Sequence, residues 1–108
     1  MSRVVFADRA ISDLQAISDY IAQDSVEAAE ALIDYLIDQL DRIAATPAVG
    51  RERPDIWPGV LCFVVGRAAW RSRFLIFYRS TRSGIEVARI IEGHRNIQAA
   101  MTDLPGER

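Results

Sequence analysis

Lysine is absent from this chain. All thirteen basic residues, among 108 in total, are arginine. Genome base composition alone can produce such a bias, so it carries little functional weight. Cysteine is nearly absent as well. The single Cys62 excludes an intramolecular disulfide and any cysteine-cluster metal site, and it fits a reducing compartment. No apolar run reaches the roughly 18 residues of a membrane helix. The start, Met1-Ser2-Arg3-Val4-Val5-Phe6, has neither a long apolar region nor a small-residue cleavage site, so export by a signal peptide is not expected. Internal repeats and low-complexity segments are missing too. What remains is a globular composition, 50% apolar and 26% charged, far from the signature of disorder. One domain over residues 1–108, working in the cytoplasm, is the expectation.

The net charge of −2 hides a segregation. Residues 1–50 carry three arginines against nine carboxylates, a net −6. Residues 51–108 carry ten arginines against six carboxylates, a net +4. This suggests an acidic helical side and a basic side able to hold an acidic partner, either peptide or nucleic acid.

The apolar period changes once, near Gly50. Arg3-Val4-Val5-Phe6 reads as a first strand. Asp8 is then a candidate N-cap, followed by Ala10, Ile11, Leu14, Ile17 and Ile21 at helical spacing, with an end near Gln23. Asp24 and Glu27 resemble a capping box for a second helix. Its apolar stripe is Ala29, Leu32, Ile33, Leu36, Ile37, Leu40, Ile43 and Ala44, with Glu27, Glu30, Asp34, Asp38 and Asp41 opposite as a solvated face. Thr46-Pro47 stops that helix, because proline supplies no N–H and disfavours helix in the residue before it. The link between the helices is so short that they must be antiparallel neighbours.

A loop rich in proline and arginine runs from Ala48 to Pro58. Val60–Val65 is a continuous β-prone run that suits a strand covered on both faces. After a connection holding Trp70, Arg73–Arg79 is the next strand. Ser83-Gly84 supplies turn chemistry, and Ile85–Ile91 is the last strand. A short helix over Ile97–Met101 and a frayed tail over 102–108 follow. The order is β-α-α-β-β-β. The expected class is α+β, a helical hairpin packed on one face of a small, mainly antiparallel sheet.

This order and five motifs resemble the ParE/RelE toxin superfamily of type II toxin–antitoxin systems, the ParE branch in particular. Asp13-Leu14 through Tyr20-Ile21 is similar to the family's first helix. Ala28–Ile33 with Leu40-Asp41-Arg42-Ile43 is similar to its second. Thr46–Arg51 resembles its proline-to-glycine loop, and Phe74–Arg79 its "LIFYR" strand. Val87–Arg95 resembles its closing strand with the "HG.R" element. The likeness spans roughly residues 3–101. There are two departures. Ala68–Ser72 lies in an insertion between Val65-Gly66-Arg67 and the "LIFYR" strand, and Glu92 stands where the family has histidine, with His94 after the glycine instead.

Strand alternation puts Arg73, Leu75, Phe77 and Arg79 on one face, away from the helices, with Arg89 added to the same surface. A face mixing apolar groups and arginine suits a peptide whose apolar side chains dock while its carboxylates pair with guanidinium groups. The bland alternative is a solvated sheet face, but exposed ion pairs contribute only about 0–1 kcal/mol, so stability explains little of the pattern. Trp57 and Trp70 sit beside arginines, each either a contact anchor or packing on the sheet edge. The candidate surface comprises Trp57, Arg67, Trp70, Arg71 and Arg73, together with Phe77, Arg79, Arg89 and Arg95. Cys62 reads as a small core residue.

The resemblance implies a non-enzymatic toxin that blocks DNA gyrase by binding it. It also implies a cognate ParD-like antitoxin of ribbon-helix-helix type, whose C-terminal segment wraps the toxin in a hetero-oligomer. Neither cofactor, metal nor membrane enters this reading. The alternatives are a RelE-type, ribosome-dependent mRNA endonuclease using Arg79, Arg89, His94 and Arg95, or a non-toxic antitoxin-binding remnant. The nuclease reading is weakened by the lack of lysine and of any tyrosine after Tyr78.

Overall fold

A computed structural model describes residues 2–66 and 73–93. The elements are β1 (Arg3–Phe6), α1 (Asp8–Ala22), α2 (Val26–Ala45), a 3-10 turn (Pro47–Val49), β2 (Arg51–Glu52), β3 (Leu61–Val65), β4 (Phe74–Ser80) and β5 (Gly84–Glu92). The five strands form one sheet in the order β1-β5-β4-β3-β2. β1 runs parallel to β5, and every other pairing is antiparallel. The expected α+β architecture holds, with β2 and the 3-10 turn added inside what reads in sequence as a loop.

Each helix start is shifted by one residue from its expected cap. Ala7, not Asp8, occupies the N-cap of α1, and Asp8 is the first helical residue. There its carboxylate complements the positive end of the helix dipole. Ser25, not Asp24, caps α2, its Oγ accepting from the Ala28 N–H at 3.1 Å. The reason lies in the backbone. Asp24 lies in the turn that follows α1, and Ser25 is the residue with the extended backbone (φ −157°, ψ 116°) that a cap position needs.

The helix-facing core joins Leu32, Leu36, Leu40, Ile43 and Ala44 of α2 to Val65, Phe74, Ile76, Tyr78, Ile85, Val87 and Ile90 of the sheet. From α1 only Ala10 is fully buried, while Leu14, Ile17 and Ile21 pack at the margin. Two residues assigned to the apolar stripes face water instead, Ile11 on α1 and Ile37 on α2. The strip each helix buries is narrower than its apolar arc.

Gly84 serves the turn and the sheet together, its carbonyl accepting from the Thr81 N–H at 2.9 Å where β4 passes into β5. It is the first residue of β5, in register with Arg3 of β1. A Cβ there would collide with the Arg3 backbone carbonyl. Only glycine lets β1 close on β5, and the Arg3 N–H then donates to the Ser83 carbonyl at 2.9 Å.

Leu36 is 0% exposed and Ile37 is 39% exposed, although they are neighbours on one helix. Leu36→Asp should therefore unfold the domain, because it buries an unpaired charge. Ile37→Asp should cost about 1 kcal/mol or less. Equilibrium urea denaturation of the two variants checks the contrast.

Candidate functional site

The reverse face of the sheet begins with an irregularity in β5. Phe77 pairs with Arg89 but Tyr78 pairs with Val87, so Ala88 is an extra residue, a β-bulge. The bulge shifts the alternation by one. Val87 and Ile90 both face the helices, while Ala88 and Ile91 both join the reverse side. A strict two-residue period would have put Val87 and Ile91 together, with Arg89 between them.

Arg89 is accordingly not part of an exposed arginine face. It is buried, and its guanidinium forks onto Asp13 of α1, Nε to Oδ2 at 2.7 Å and Nη2 to Oδ1 at 3.0 Å. The same carboxylate accepts the Ile90 N–H at 2.9 Å. β1 stops pairing at Val87, so this outer edge of β5 lacks a strand neighbour. Asp13 supplies the acceptor that a further strand would have supplied. Sequence reasoning missed the pair. Its available signal was a lone carboxylate on the inward side of α1, one residue from Leu14 and one turn from Ala10 and Ile17.

On the reverse side a second core joins Cys62, Phe77, Ala88 and Ile91 to Trp57 and Val60 from the loop before β3. Phe77 is 0% and Trp57 6% exposed. Both belong to the interior, and the face expected to lie open is largely roofed by residues 53–60. The roof is a tight structure. The Arg53 carbonyl accepts from the N–H groups of Ile56 and Trp57, and the Arg53 N–H donates to the Val60 carbonyl. Gly59 takes φ +84°, a left-handed value that glycine adopts without strain. Arg53 forks onto Asp55 at 3.0 and 2.9 Å, and those hydrogen bonds hold the Asp55 carboxyl below its ordinary range.

One hydroxyl anchors the entry to this loop. Tyr78, inside the helix-facing core, accepts from the Gly50 N–H at 2.9 Å and donates to the Pro47 carbonyl at 2.6 Å. Gly50 has no side chain because a Cβ would overlap that hydroxyl. Burial pushes the Tyr78 phenol up, so it keeps the proton it donates. The proline-to-glycine loop and the "LIFYR" strand are thus joined physically. A second tyrosine does similar work on α2. The Tyr35 hydroxyl donates to the Gly66 carbonyl at 3.1 Å and accepts from the Gly66 N–H at 3.2 Å, tying α2 to the end of β3.

What stays at the surface is narrower than expected. Arg79 is half-buried, with its guanidinium carbon 3.5 Å from the centre of a Trp57 ring. Arg51 and Arg73 are exposed. Leu75 is half-buried, and Val64, its partner in the β3–β4 register, is exposed. Cys62 lies in the second core as expected, and burial pushes its thiol up. Arg67, Trp70, Arg71, His94 and Arg95 lie outside the described residues, as do the Ala68–Ser72 insertion and the expected helix over 97–101. Among the described residues no group of histidine, cysteine or carboxylate side chains stands close enough to hold a metal ion.

Fold and element order place the chain among small α+β proteins with a helical hairpin on a mixed sheet. Comparison with known proteins narrows this. The family described as ParE toxin of type II toxin–antitoxin system, parDE, matches residues 4–97. Toxin ParE3 of Caulobacter vibrioides is 28% identical over 102 residues, spanning 94% of this chain and 96% of that protein. A solved chain of the chromosomal ParDE TA system from P. aeruginosa superposes with a TM-score of 0.63 at 25% identity, covering 85% of this chain and 96% of its own. The chain belongs to the ParE family, the toxins of type II toxin–antitoxin systems.

The buried contacts give three expectations. Asp13→Ala should cost about 3–5 kcal/mol, because it strands a buried guanidinium, and adding Arg89→Met should recover part of that loss. Tyr78→Phe should cost about 1–3 kcal/mol by leaving the Pro47 carbonyl and Gly50 N–H unpartnered. Urea titrations measure both. Cys62 should resist iodoacetamide at about pH 8 in the folded protein, because its raised thiol keeps thiolate scarce, and should react once urea unfolds it.

Proposed function

We propose that this toxin is held inactive by a ParD-type antitoxin and that, once released, it inhibits DNA gyrase by binding and without catalysis, in the cytoplasm. The family match over residues 4–97 carries this reading. The structural neighbour from P. aeruginosa, a chain of a ParDE system, supports the kind of partner. Two further observations favour binding over cleavage. Arg89, a candidate for a ribonuclease site, is forked on Asp13, and reaching a phosphate would mean breaking a buried pair. Arg79, another candidate, rests on Trp57. Among the described residues no helix is long and apolar enough to cross a membrane.

The described surface suits an acidic, amphipathic peptide. Arg51, Arg73 and Arg79 offer positive charge, and Val64 and Leu75 offer apolar area between β3 and β4. A segment disordered when free would lose entropy on docking, so a wide contact over this face and the helices is the expected geometry.

The purified toxin should inhibit gyrase supercoiling of plasmid DNA, leave mRNA on ribosomes intact, and lose its inhibition when the antitoxin is added. Cleaved transcripts with unaffected supercoiling would overturn the gyrase reading and install the nuclease.

A further inference from the structure

Arg79 differs from two nearby arginines in what it touches. Arg89 is forked on Asp13, and Arg53 is forked on Asp55. Arg79 has neither a hydrogen bond nor an ion pair among the described residues. It contacts the Trp57 ring, 3.5 Å from guanidinium carbon to ring centre. Glu86 is its register partner across β5, yet the two form no ion pair. The guanidinium lies over the indole instead.

That arrangement is pre-organised. Trp57 is buried in the reverse-side core against Phe77 and Cys62, so the ring is a fixed floor. An arginine over an aromatic face keeps its in-plane N–H donors available at the edge, in the fork that matches a carboxylate. Part of the ordering that a flexible side chain loses on binding is already lost in the fold.

We propose that Arg79, held on Trp57, is the receptor for one carboxylate of the antitoxin's acidic C-terminal segment, taken as a forked pair at the edge of the indole. This rests on the toxin–antitoxin reading above. An acidic peptide fits better than a nucleic-acid backbone. A phosphate track needs several uncommitted cations converging; Arg53 and Arg89 are neutralised internally, and the arginines left on this face, Arg51, Arg73 and Arg79, share it with apolar Val64 and Leu75. Apolar Leu75 and Val64 on the neighbouring strands suit a segment that mixes carboxylates with apolar side chains.

The test is calorimetric titration of the full-length toxin with its ParD-type antitoxin. Arg79→Gln should lower the melting temperature by only a few degrees, the loss of one stacking contact, and weaken binding about 10- to 100-fold. Arg79→Lys should restore only part, because an ammonium cannot fork. Asp→Asn and Glu→Gln changes along the antitoxin's C-terminal segment should reveal one position whose effect disappears against Arg79→Gln. With Trp70→Phe as background, Trp57 fluorescence should respond to the antitoxin in Arg79 protein and not in Arg79→Gln protein. Unchanged affinity in Arg79→Gln would overturn the receptor while leaving the pairing intact. Wild-type toxin that ignores the antitoxin would overturn the pairing itself. Arg79-dependent binding of a short RNA or DNA duplex, with antitoxin binding indifferent to Arg79, would make the site a phosphate site and overturn the proposal.

Discussion

Asp13 is the residue on which the placement of the first helix depends. α1 buries only Ala10 completely, with Leu14, Ile17 and Ile21 packed part-buried beside it, so a polar contact adds to what fixes its rotation. The Asp13 carboxylate accepts from Arg89 twice and from the Ile90 N–H once, and so sets α1 against the outer edge of β5. A buried ion pair is a poor source of net stability, since desolvation offsets most of the Coulomb gain. Its consequence here is positional. It satisfies an edge that β1 leaves unpaired, and a strand edge left open is a template for association with other chains.

The sheet is buried on both sides by different means. The helical hairpin covers one face with aliphatic side chains. The other is roofed by residues 53–60, which insert Trp57 and Val60 against Phe77 and Cys62. The two covers are linked through the sheet by Tyr78, which lies in the helix-side core while its hydroxyl holds Pro47 and Gly50 at the start of the loop. The same loop carries the ring on which Arg79 rests. The conformation of the candidate receptor is thereby coupled to the end of α2, some thirty residues away in the chain.

The elements with strong periodicity were legible from residues alone. α2, β4 and the αα-hairpin follow from aliphatic spacing, a proline stop and a short link. The placement of Leu75 and Phe77 away from the helices also held, since β4 keeps its alternation unbroken. Arg89 was not legible, because the bulge at Ala88 breaks the period from which its direction was argued. Trp57 could be read equally as surface anchor or packing, because an indole in a loop carries no periodicity to choose between them. Gly84 was legible as a turn glycine but not as the position that β1 closes on, since that close neighbour, Arg3, comes from the opposite end of the chain.

Sequence by itself settled the α+β class, the existence and order of the strongly periodic elements and the family likeness. All of these rest on local spacing, which neighbours in the chain carry between them. Tertiary structure decided which arginines are committed and which present their donors outward. Arg89 and Asp13 are 76 positions apart, and Tyr78 and Gly50 are 28 apart. Contacts of that range depend on a bulge, a strand register and a folded-back loop, and no local pattern of side chains encodes them.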